Sequence, residues 1–159
     1  MAIRVGDKCP LFTLPNQNGQ PISISDFIGE KFLVIYFYPK DHSGGCTAEA
    51  CAFRDSYELF EEMGCAVFGI SSDSIASHEA FAAKHRLSFN LLSDTEKTVR
   101  KQFGVPSAFF GLVSGRVTYL VDKRGIVREI HNSMSNAEGH ITKALSTVEG
   151  FLADEARGR

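Results

Sequence analysis

Cys46 and Cys51 are the residues of this 159-residue chain whose type and spacing are best suited to chemistry. Cys46 directly follows a turn-like segment, residues 39–45, which contains a proline, a serine and two adjacent glycines. A cysteine that follows such a turn and opens a helix lies close to unpaired backbone N–H groups and to the positive end of the helix dipole, and both favour a thiolate over a thiol. The segment therefore predicts a nucleophilic sulfur at Cys46.

A strand and a helix must hold this segment in place. Residues 32–38 form an apolar run rich in aromatic and β-branched side chains, which predicts a fully buried strand. After the cysteines, large apolar side chains recur at spacings of four and three, which predicts a helix with one buried face: Phe53, Tyr57 and Phe60. We expect this helix to run from about Cys46 to Met63 and to end at Gly64, a residue suited to a left-handed helix end.

The ordered pattern Pro39-x-x-x-Ser43-x-x-Cys46 resembles the active-site motif of the peroxiredoxins. The second cysteine, five residues on, is similar to that of the bacterioferritin-comigratory, or Q-type, branch, and the similarity extends from Gly6 to His140. The resemblance implies a thioredoxin-like fold and a thiol-dependent peroxidase that reduces hydrogen peroxide and organic hydroperoxides. In this scheme Cys46 becomes a sulfenic acid, Cys51 resolves it as an intrachain disulfide, and thioredoxin or a similar dithiol restores the enzyme.

The same resemblance implies roles for the residues around Cys46. Pro39 would shield the thiolate from water, and the Ser43 hydroxyl and the backbone N–H groups of Gly45 and Cys46 would hold the peroxide. Arg116 matches the active-site arginine of the family, and its fork-shaped cation suits both the thiolate and the peroxide. Without the resemblance, an arginine at the start of a strand is more often a solvated edge residue.

Three further positions near the site either allow two interpretations or depart from the family pattern. Glu49 matches a position that helps to hold the arginine, but an exposed acid in the first turn of a helix fits the sequence equally well. The family usually has threonine at position 43 and commonly proline at position 44, whereas this chain has Ser43 and Gly44. We expect these departures to loosen the turn.

The spacing of Cys46 and Cys51 has a geometric consequence. Five residues along a helix separate two Cα atoms by roughly 8.6 Å. A disulfide needs Cα atoms about 4.4–6.8 Å apart. We therefore expect the first turns of the helix to unwind when the disulfide forms, with Gly44-Gly45 as the hinge.

The rest of the chain alternates strands and helices. Asn-Gly and Asp-Lys-Arg-Gly turns predict hairpins at residues 12–24 and 116–130, the first of them an N-terminal addition to the fold. Further elements are expected as strands at 65–71 and 91–92 and as helices at 74–85, 94–103 and from a capping box, Ser135 and Glu138, to about residue 154. The pattern predicts an α/β sandwich with a mixed central sheet flanked by helices, in a single domain of residues 1–159.

The aromatic segment at residues 109–112 and the five histidines are less informative than the cysteines. Phe109–Leu112 is expected either to form an apolar collar over Cys46 or to be ordinary core or loop. The histidines are expected at the surface, His42 beside the site and the others elsewhere: His78, His85, His131 and His140.

The charge and the cysteine content of the chain limit its possible binding partners and its cellular compartment. The net charge of −2 and a pI near 6.2 give no basis for binding nucleic acid or an anionic membrane, and no apolar run is long enough to span a bilayer. Cys9 and Cys65 are expected as buried hydrophobic residues, so a reducing compartment fits best. We expect a monomer in the bacterial cytoplasm or, for a trimmed precursor, in the chloroplast stroma.

Three other classes of function are alternatives to a peroxidase. A metal site of His42, Cys46 and Cys51 lacks the usual Cys-x-x-Cys spacing and a second pair of ligands. A thioredoxin-type disulfide reductase also requires Cys-x-x-Cys at the helix start. The third class is a non-catalytic role as a chaperone or a redox sensor, and because a sensor needs the same reactive thiol, this stays open as an additional role. No metal, haem or flavin is implied.

Overall fold

The computed structural model describes residues 2–108 and 113–158. The elements in chain order are β1 (Thr13–Pro15), β2 (Pro21–Ser23), a 3-10 turn (Ile24–Asp26), β3 (Phe32–Phe37), α1 (Gly44–Glu62), β4 (Cys65–Ser71), α2 (Ile75–His85), β5 (Asn90–Ser93), α3 (Thr98–Phe103), β6 (Ser107–Ala108), β7 (Val113–Ser114), β8 (Val117–Val121), β9 (Val127–Asn132) and α4 (Ala137–Ala156). Phe109–Leu112, the predicted collar, lies outside the described residues.

Five strands form a mixed sheet in the order β5-β4-β3-β8-β9. β3 pairs in parallel with β4 and antiparallel with β8, while β4 and β5 are parallel and β8 and β9 antiparallel. β1 and β2 form a separate antiparallel hairpin near the N-terminus. The predicted thioredoxin-like α/β sandwich with an added N-terminal hairpin is confirmed.

β3 is buried along its whole length because it is covered on both faces. Alternate side chains enter two apolar layers: Val34 and Tyr36 pack with residues of α1 and α4, whereas Leu33 and Ile35 pack with residues of α3 and the hairpin. Tyr36 stacks on Phe53 of α1 with ring centroids 4.5 Å apart. This packing fixes the start of α1 beyond the carboxyl end of the central strand, where open α/β sheets carry their ligands.

The ends of α1 agree with the sequence only in part. Gly64 has φ 74° and follows the helix in the left-handed conformation, as predicted. The helix begins at Gly44, two residues before the predicted start, with Ser43 as its N-cap. Glycine is tolerated there because the first residues of a helix have no intrahelical N–H bond to lose.

Two predicted helix starts need correction. Asp94 was expected to cap α3, but the helix begins at Thr98 with Lys97 as its N-cap, although the Asp94 carboxylate still accepts hydrogen bonds from the backbone N–H groups of Val99 and Arg100. The predicted capping box at residues 135 and 138 is wrong. Asn136 caps α4 instead, with its side-chain oxygen accepting from Gly139 N at 3.0 Å.

The length and apolar character of the helices decide whether any of them could span a membrane. None of the helices in the described part of the chain is both long and apolar enough to cross a bilayer.

Candidate active site

Cys46 lies in the first turn of α1 and is 1% exposed. The first backbone hydrogen bond of the helix runs from Thr47 N to Ser43 O at 2.9 Å, so the N–H groups of Gly45 and Cys46 precede the helical ladder. The sulfur therefore lies at the positive end of a 19-residue helix, beside backbone donors that remain available to an anion.

Arg116 places a cation on this sulfur. Its Nη2 lies 3.3 Å from Cys46 Sγ, and its Nη1 donates to Glu49 Oε1 at 2.6 Å. Arg116 is 4% exposed and Glu49 fully buried, so the interpretations of both as solvated surface residues are wrong. Burial lowers the pKa of Arg116, but Glu49 and Cys46 raise it further, so the guanidinium stays charged beside the thiol.

Gly45 allows the cation to approach the helix start. A Cβ atom at this position would lie 2.9 Å from Arg116 Nη2 and 3.6 Å from its Cζ, which is closer than side chains tolerate. Gly44 is different, because a Cβ there would meet no atom within 4 Å and its φ is not in the left-handed region. A side chain at position 45 would therefore push the guanidinium away from its place on the sulfur, whereas a side chain at position 44 would meet no atom.

The turn before Cys46 contains the other two residues singled out in the sequence. The Ser43 hydroxyl donates to Lys40 O at 3.0 Å rather than to the thiol, which leaves its oxygen free to accept a hydrogen bond. Pro39 lies two residues after the end of β3 and is half-buried. A proline in this place contributes no N–H group to the turn.

The four cysteines are all free, and burial alone does not distinguish Cys46. Cys9 and Cys65 are 5% and 1% exposed, and each sulfur has a neighbouring carbonyl oxygen as its hydrogen-bond partner, whereas the sulfur of Cys46 has the Arg116 guanidinium. Burial raises the pKa of Cys9 to about 12 and raises the pKa of Cys65 as well. Cys51 is half-buried on α1.

Sequence reasoning missed a buried network that holds the turn. His78 of α2 is fully buried, with Nδ1 2.7 Å from Asp41 Oδ2 and Nε2 3.0 Å from Leu92 O. Tyr38 and Ser77 donate their hydroxyls to the same carboxylate. Burial raises the pKa of Asp41, but the hydrogen bonds from His78 and its neighbours outweigh this and hold it below its usual value.

This network also bears on metal binding. The Asp41 backbone N–H donates to Asp73 Oδ2 at 2.8 Å, and Asp73, Asp41 and His78 bring one ligand atom each within 4.8 Å of one another. These atoms already bond one another or neighbouring donors, so the cluster needs no ion to be satisfied. His42, Cys46 and Cys51 do not form such a cluster, so the geometry gives no support to the metal site considered from the sequence.

His140 was also missed. It is fully buried on α4, with Nδ1 2.8 Å from Thr118 Oγ1 and 3.6 Å from Glu49 Oε2. Its Nε2 lies 2.8 Å from Ser133 O. Burial, with a smaller contribution from nearby cations, lowers the pKa of His140 to about 4. The expectation of surface positions for His78 and His140 is wrong.

A signal for both histidines was present in the sequence. His78 shares a helical face with Phe81 and Ala82, and His140 shares one with Ala144 and Val148, at spacings of three or four residues. Each therefore lies in an apolar stripe that faces the core.

A thioredoxin-like sheet, a buried thiol at a helix N-terminus and a buried arginine on its sulfur together define a thiol-based redox protein. Comparison with known proteins identifies the class more closely. The profile of the AhpC/TSA family matches residues 5–130. Peroxiredoxin Q, chloroplastic, of Sedum lineare is 51% identical over 146 residues, which cover 92% of this chain and 78% of that protein. The Arabidopsis thaliana protein of the same name is 50% identical over 147 residues, covering 92% and 68%.

Solved structures agree. Peroxidoxin BcpB from Mycobacterium tuberculosis superposes with a TM-score of 0.86 at 35% identity, over 93% of this chain and 97% of that one. A cysteine-to-serine mutant of Xylella fastidiosa PrxQ gives 0.86 at 26% identity, over 94% and 98%. The chain belongs to the AhpC/TSA family and, within it, to the Q-type, or bacterioferritin-comigratory, peroxiredoxins. These are peroxidases that use a thiol.

Proposed function

We propose that the chain, as a single domain and a monomer, reduces hydrogen peroxide and organic hydroperoxides through a Cys46 sulfenic acid and a Cys46–Cys51 intrachain disulfide, with thioredoxin as the reductant. The observation that carries this proposal is the 3.3 Å contact between Arg116 Nη2 and Cys46 Sγ inside the fold. The chloroplastic relatives support the chloroplast stroma as the compartment, with the bacterial cytoplasm as the alternative.

In the first step the Cys46 thiolate attacks one peroxide oxygen and the O–O bond breaks. The bonding electron pair moves to the other oxygen, which takes up a proton and leaves as water or an alcohol. Full ionisation of an ordinary cysteine gains only about 30-fold in thiolate at pH 7, so most of the acceleration must come from stabilising the departing oxygen. Arg116 and the N–H groups of Gly45 and Cys46 supply that stabilisation.

Ser43 and Pro39 complete the peroxide site in this proposal. The Ser43 oxygen, whose own proton is bonded to Lys40 O, accepts a hydrogen bond from the peroxide O–H and orients it. Pro39 excludes water and adds no competing donor. Glu49 supports the arrangement by fixing the guanidinium of Arg116.

In the second step the Cys51 sulfur attacks the sulfenic acid, the S–S bond forms, and the hydroxyl leaves as water. Both cysteines belong to α1, whose geometry keeps their Cα atoms too far apart for a disulfide. The first turns of α1 therefore unwind before the bond closes.

We expect this unwinding to appear in hydrogen exchange. Amides of residues 47–54 should exchange slowly in the reduced protein and at least tenfold faster after one equivalent of peroxide, because the helical hydrogen bonds are lost. The amides of α4 serve as an internal reference, and Cys51→Ser as the control that forms no intrachain disulfide. Equal exchange across residues 47–54 in the reduced and oxidised parent would contradict the mechanism.

Peroxide consumption coupled to thioredoxin, thioredoxin reductase and NADPH tests the proposed function as a whole. The parent should turn over continuously, whereas Cys51→Ser should consume one equivalent of peroxide and then stall as the sulfenic acid. Normal cycling of Cys51→Ser would make Cys51 structural and require an external resolving thiol. A parent that is inactive with every dithiol would refute the peroxidase and favour a redox sensor.

A further inference from the structure

We propose that Glu49 holds a proton on Oε2 up to about neutral pH, facing the unprotonated Nδ1 of the buried His140, and that this proton leaves the charge of Arg116 available to the sulfur of Cys46. Glu49 and His140 are then positioning residues that set the electrostatics of the site. The proposal rests on the proposed function for its kinetic consequence, but not for the proton itself.

The two carboxyl oxygens of Glu49 have different surroundings. Oε1 accepts a hydrogen bond from Arg116 Nη1 at 2.6 Å. Oε2 is buried, makes no hydrogen bond within the described residues, and lies 3.6 Å from Nδ1 of His140. A buried carboxylate oxygen without a donor is costly, so the site requires an explanation for Oε2.

The hydrogen bonds of His140 supply that explanation. Its Nε2 lies 2.8 Å from Ser133 O, and because a carbonyl oxygen only accepts, Nε2 carries a hydrogen. In the neutral ring Nδ1 is then bare, and it accepts from the Thr118 hydroxyl at 2.8 Å. An ionised Oε2 would therefore face a second acceptor at 3.6 Å, and a proton on Oε2 removes the repulsion between the two, although the distance is too long for a hydrogen bond.

The alternative is a doubly protonated His140 paired with an ionised Glu49. Burial disfavours the charged ring, and the proximity of His131 and Arg116 disfavours it further, so the pKa of His140 falls to about 4. Burial raises the pKa of Glu49 to about 7, although the charge and the hydrogen bond of Arg116 oppose this. Between these two pKa values the proton lies on the Glu49 carboxyl and the His140 ring is neutral.

Titratable groups face Glu49 from every element packed around it. They are Arg116 just before β8, His140 on α4 with His131 of β9 behind it, Tyr36 on β3 and Cys46 on α1 itself. With Glu49 neutral, the thiolate and the guanidinium balance each other. With Glu49 ionised, the buried site carries an extra negative charge that competes with the thiolate for Arg116.

The first test is the pH dependence of the second-order rate constant for peroxide, measured by stopped flow in the intact protein. We expect the constant of the parent to decline as pH rises past about 7, where Glu49 titrates. Glu49→Gln keeps the shape of the side chain but cannot ionise, so its decline should vanish, and at pH 8.5 it should exceed the parent severalfold. Glu58→Gln, an exposed acid of the same helix, should follow the parent.

An equal loss of rate in Glu49→Gln at every pH would show that Arg116 needs the carboxylate, and would overturn the proposal. An alkaline decline that persists unchanged in Glu49→Gln would overturn it as well.

The second test does not require turnover. Nitrogen NMR of the histidine rings should find His140 as the Nε2–H tautomer from pH 5 to 8. Its Nδ1 resonance should shift with one midpoint near pH 7 in the parent and in Glu58→Gln but not in Glu49→Gln. A doubly protonated ring near neutrality would refute the proton on Glu49. The expected shift in a protein that is inactive towards peroxides would support the pair and refute only the proposed function.

Discussion

Replacement of Cys46 by serine is expected to abolish peroxide consumption, with a loss of at least 10³-fold in the coupled assay. A hydroxyl is far less acidic and far less nucleophilic than a thiol, so neither the helix N-terminus nor Arg116 can generate a comparable anion. The protein should remain folded, because serine is slightly smaller than cysteine. Arg116 Nη2, which lies 3.3 Å from the sulfur of Cys46, can donate to the serine hydroxyl oxygen instead. Mass spectrometry after peroxide and a sulfenic-acid trap should find label on the parent but not on this variant.

Cys65→Ala is the matched control for Cys46→Ser. Cys65 is as buried as Cys46, at 1% exposure, but burial raises its pKa and no arginine lies on its sulfur in the described structure. We expect Cys65→Ala to keep its activity while losing some stability. A Cys65 variant as inactive as Cys46→Ser, yet folded, would contradict the assignment of Cys46 as the single nucleophile.

Replacement of Arg116 by lysine should lower kcat/KM for peroxide about 10²-fold, and replacement by methionine about 10³-fold. The guanidinium reaches Cys46 Sγ and Glu49 Oε1 at the same time, through two different nitrogens. Lysine keeps the charge but has one donor centre, so it cannot reproduce both contacts, and methionine removes the charge. Rate constants from stopped-flow kinetics test both variants.

Loss of stability must be separated from loss of catalysis, because removing Arg116 leaves the buried Glu49 carboxyl without its hydrogen-bond donor. The double variant Arg116→Met with Glu49→Gln has no ionisable carboxyl beside the missing cation, so in urea unfolding it should be at least as stable as Arg116→Met alone, without recovering activity. Arg128→Lys is the control, since Arg128 pairs with Asp122 at 3.1 Å on β9, away from the thiol. Full activity of the double variant would show that Arg116 has only a structural role.

Much of the fold could be predicted because its signals are local. The continuous apolar run of β3 and the periodic apolar face of α1 both gave the right element. The start of α1 was placed too late because Gly44 and Gly45 have poor helix propensity, which matters little where the first N–H groups are free. The cap of α4 was assigned to the wrong residue because serine and asparagine are equally good caps and lie next to each other.

The residues of the candidate site likewise fall into those that the sequence predicted and those that it did not. Cys46 and Arg116 were found through the motif, although nothing local distinguishes Arg116 from an exposed edge residue. His78 and His140 were missed because their partners are distant in sequence: Asp41 is 37 residues from His78, and Thr118 is 22 residues from His140. A lone histidine on a helix becomes interpretable only when the fold brings those partners to it.

The anchoring of Asp41 has a consequence for which substitutions the turn tolerates. Its carboxylate and backbone bind side chains from Tyr38, which follows β3, from α2 and from the segment after β4, so the course of the turn is fixed before the chain reaches Ser43. Serine at position 43 and glycine at position 44, where the family pattern has threonine and proline, are therefore compatible with a turn that is already held at Asp41. By the same argument, a substitution at Asp41 or His78 should disturb the turn more than one at position 44, although the thiol of Cys46 bonds to neither residue.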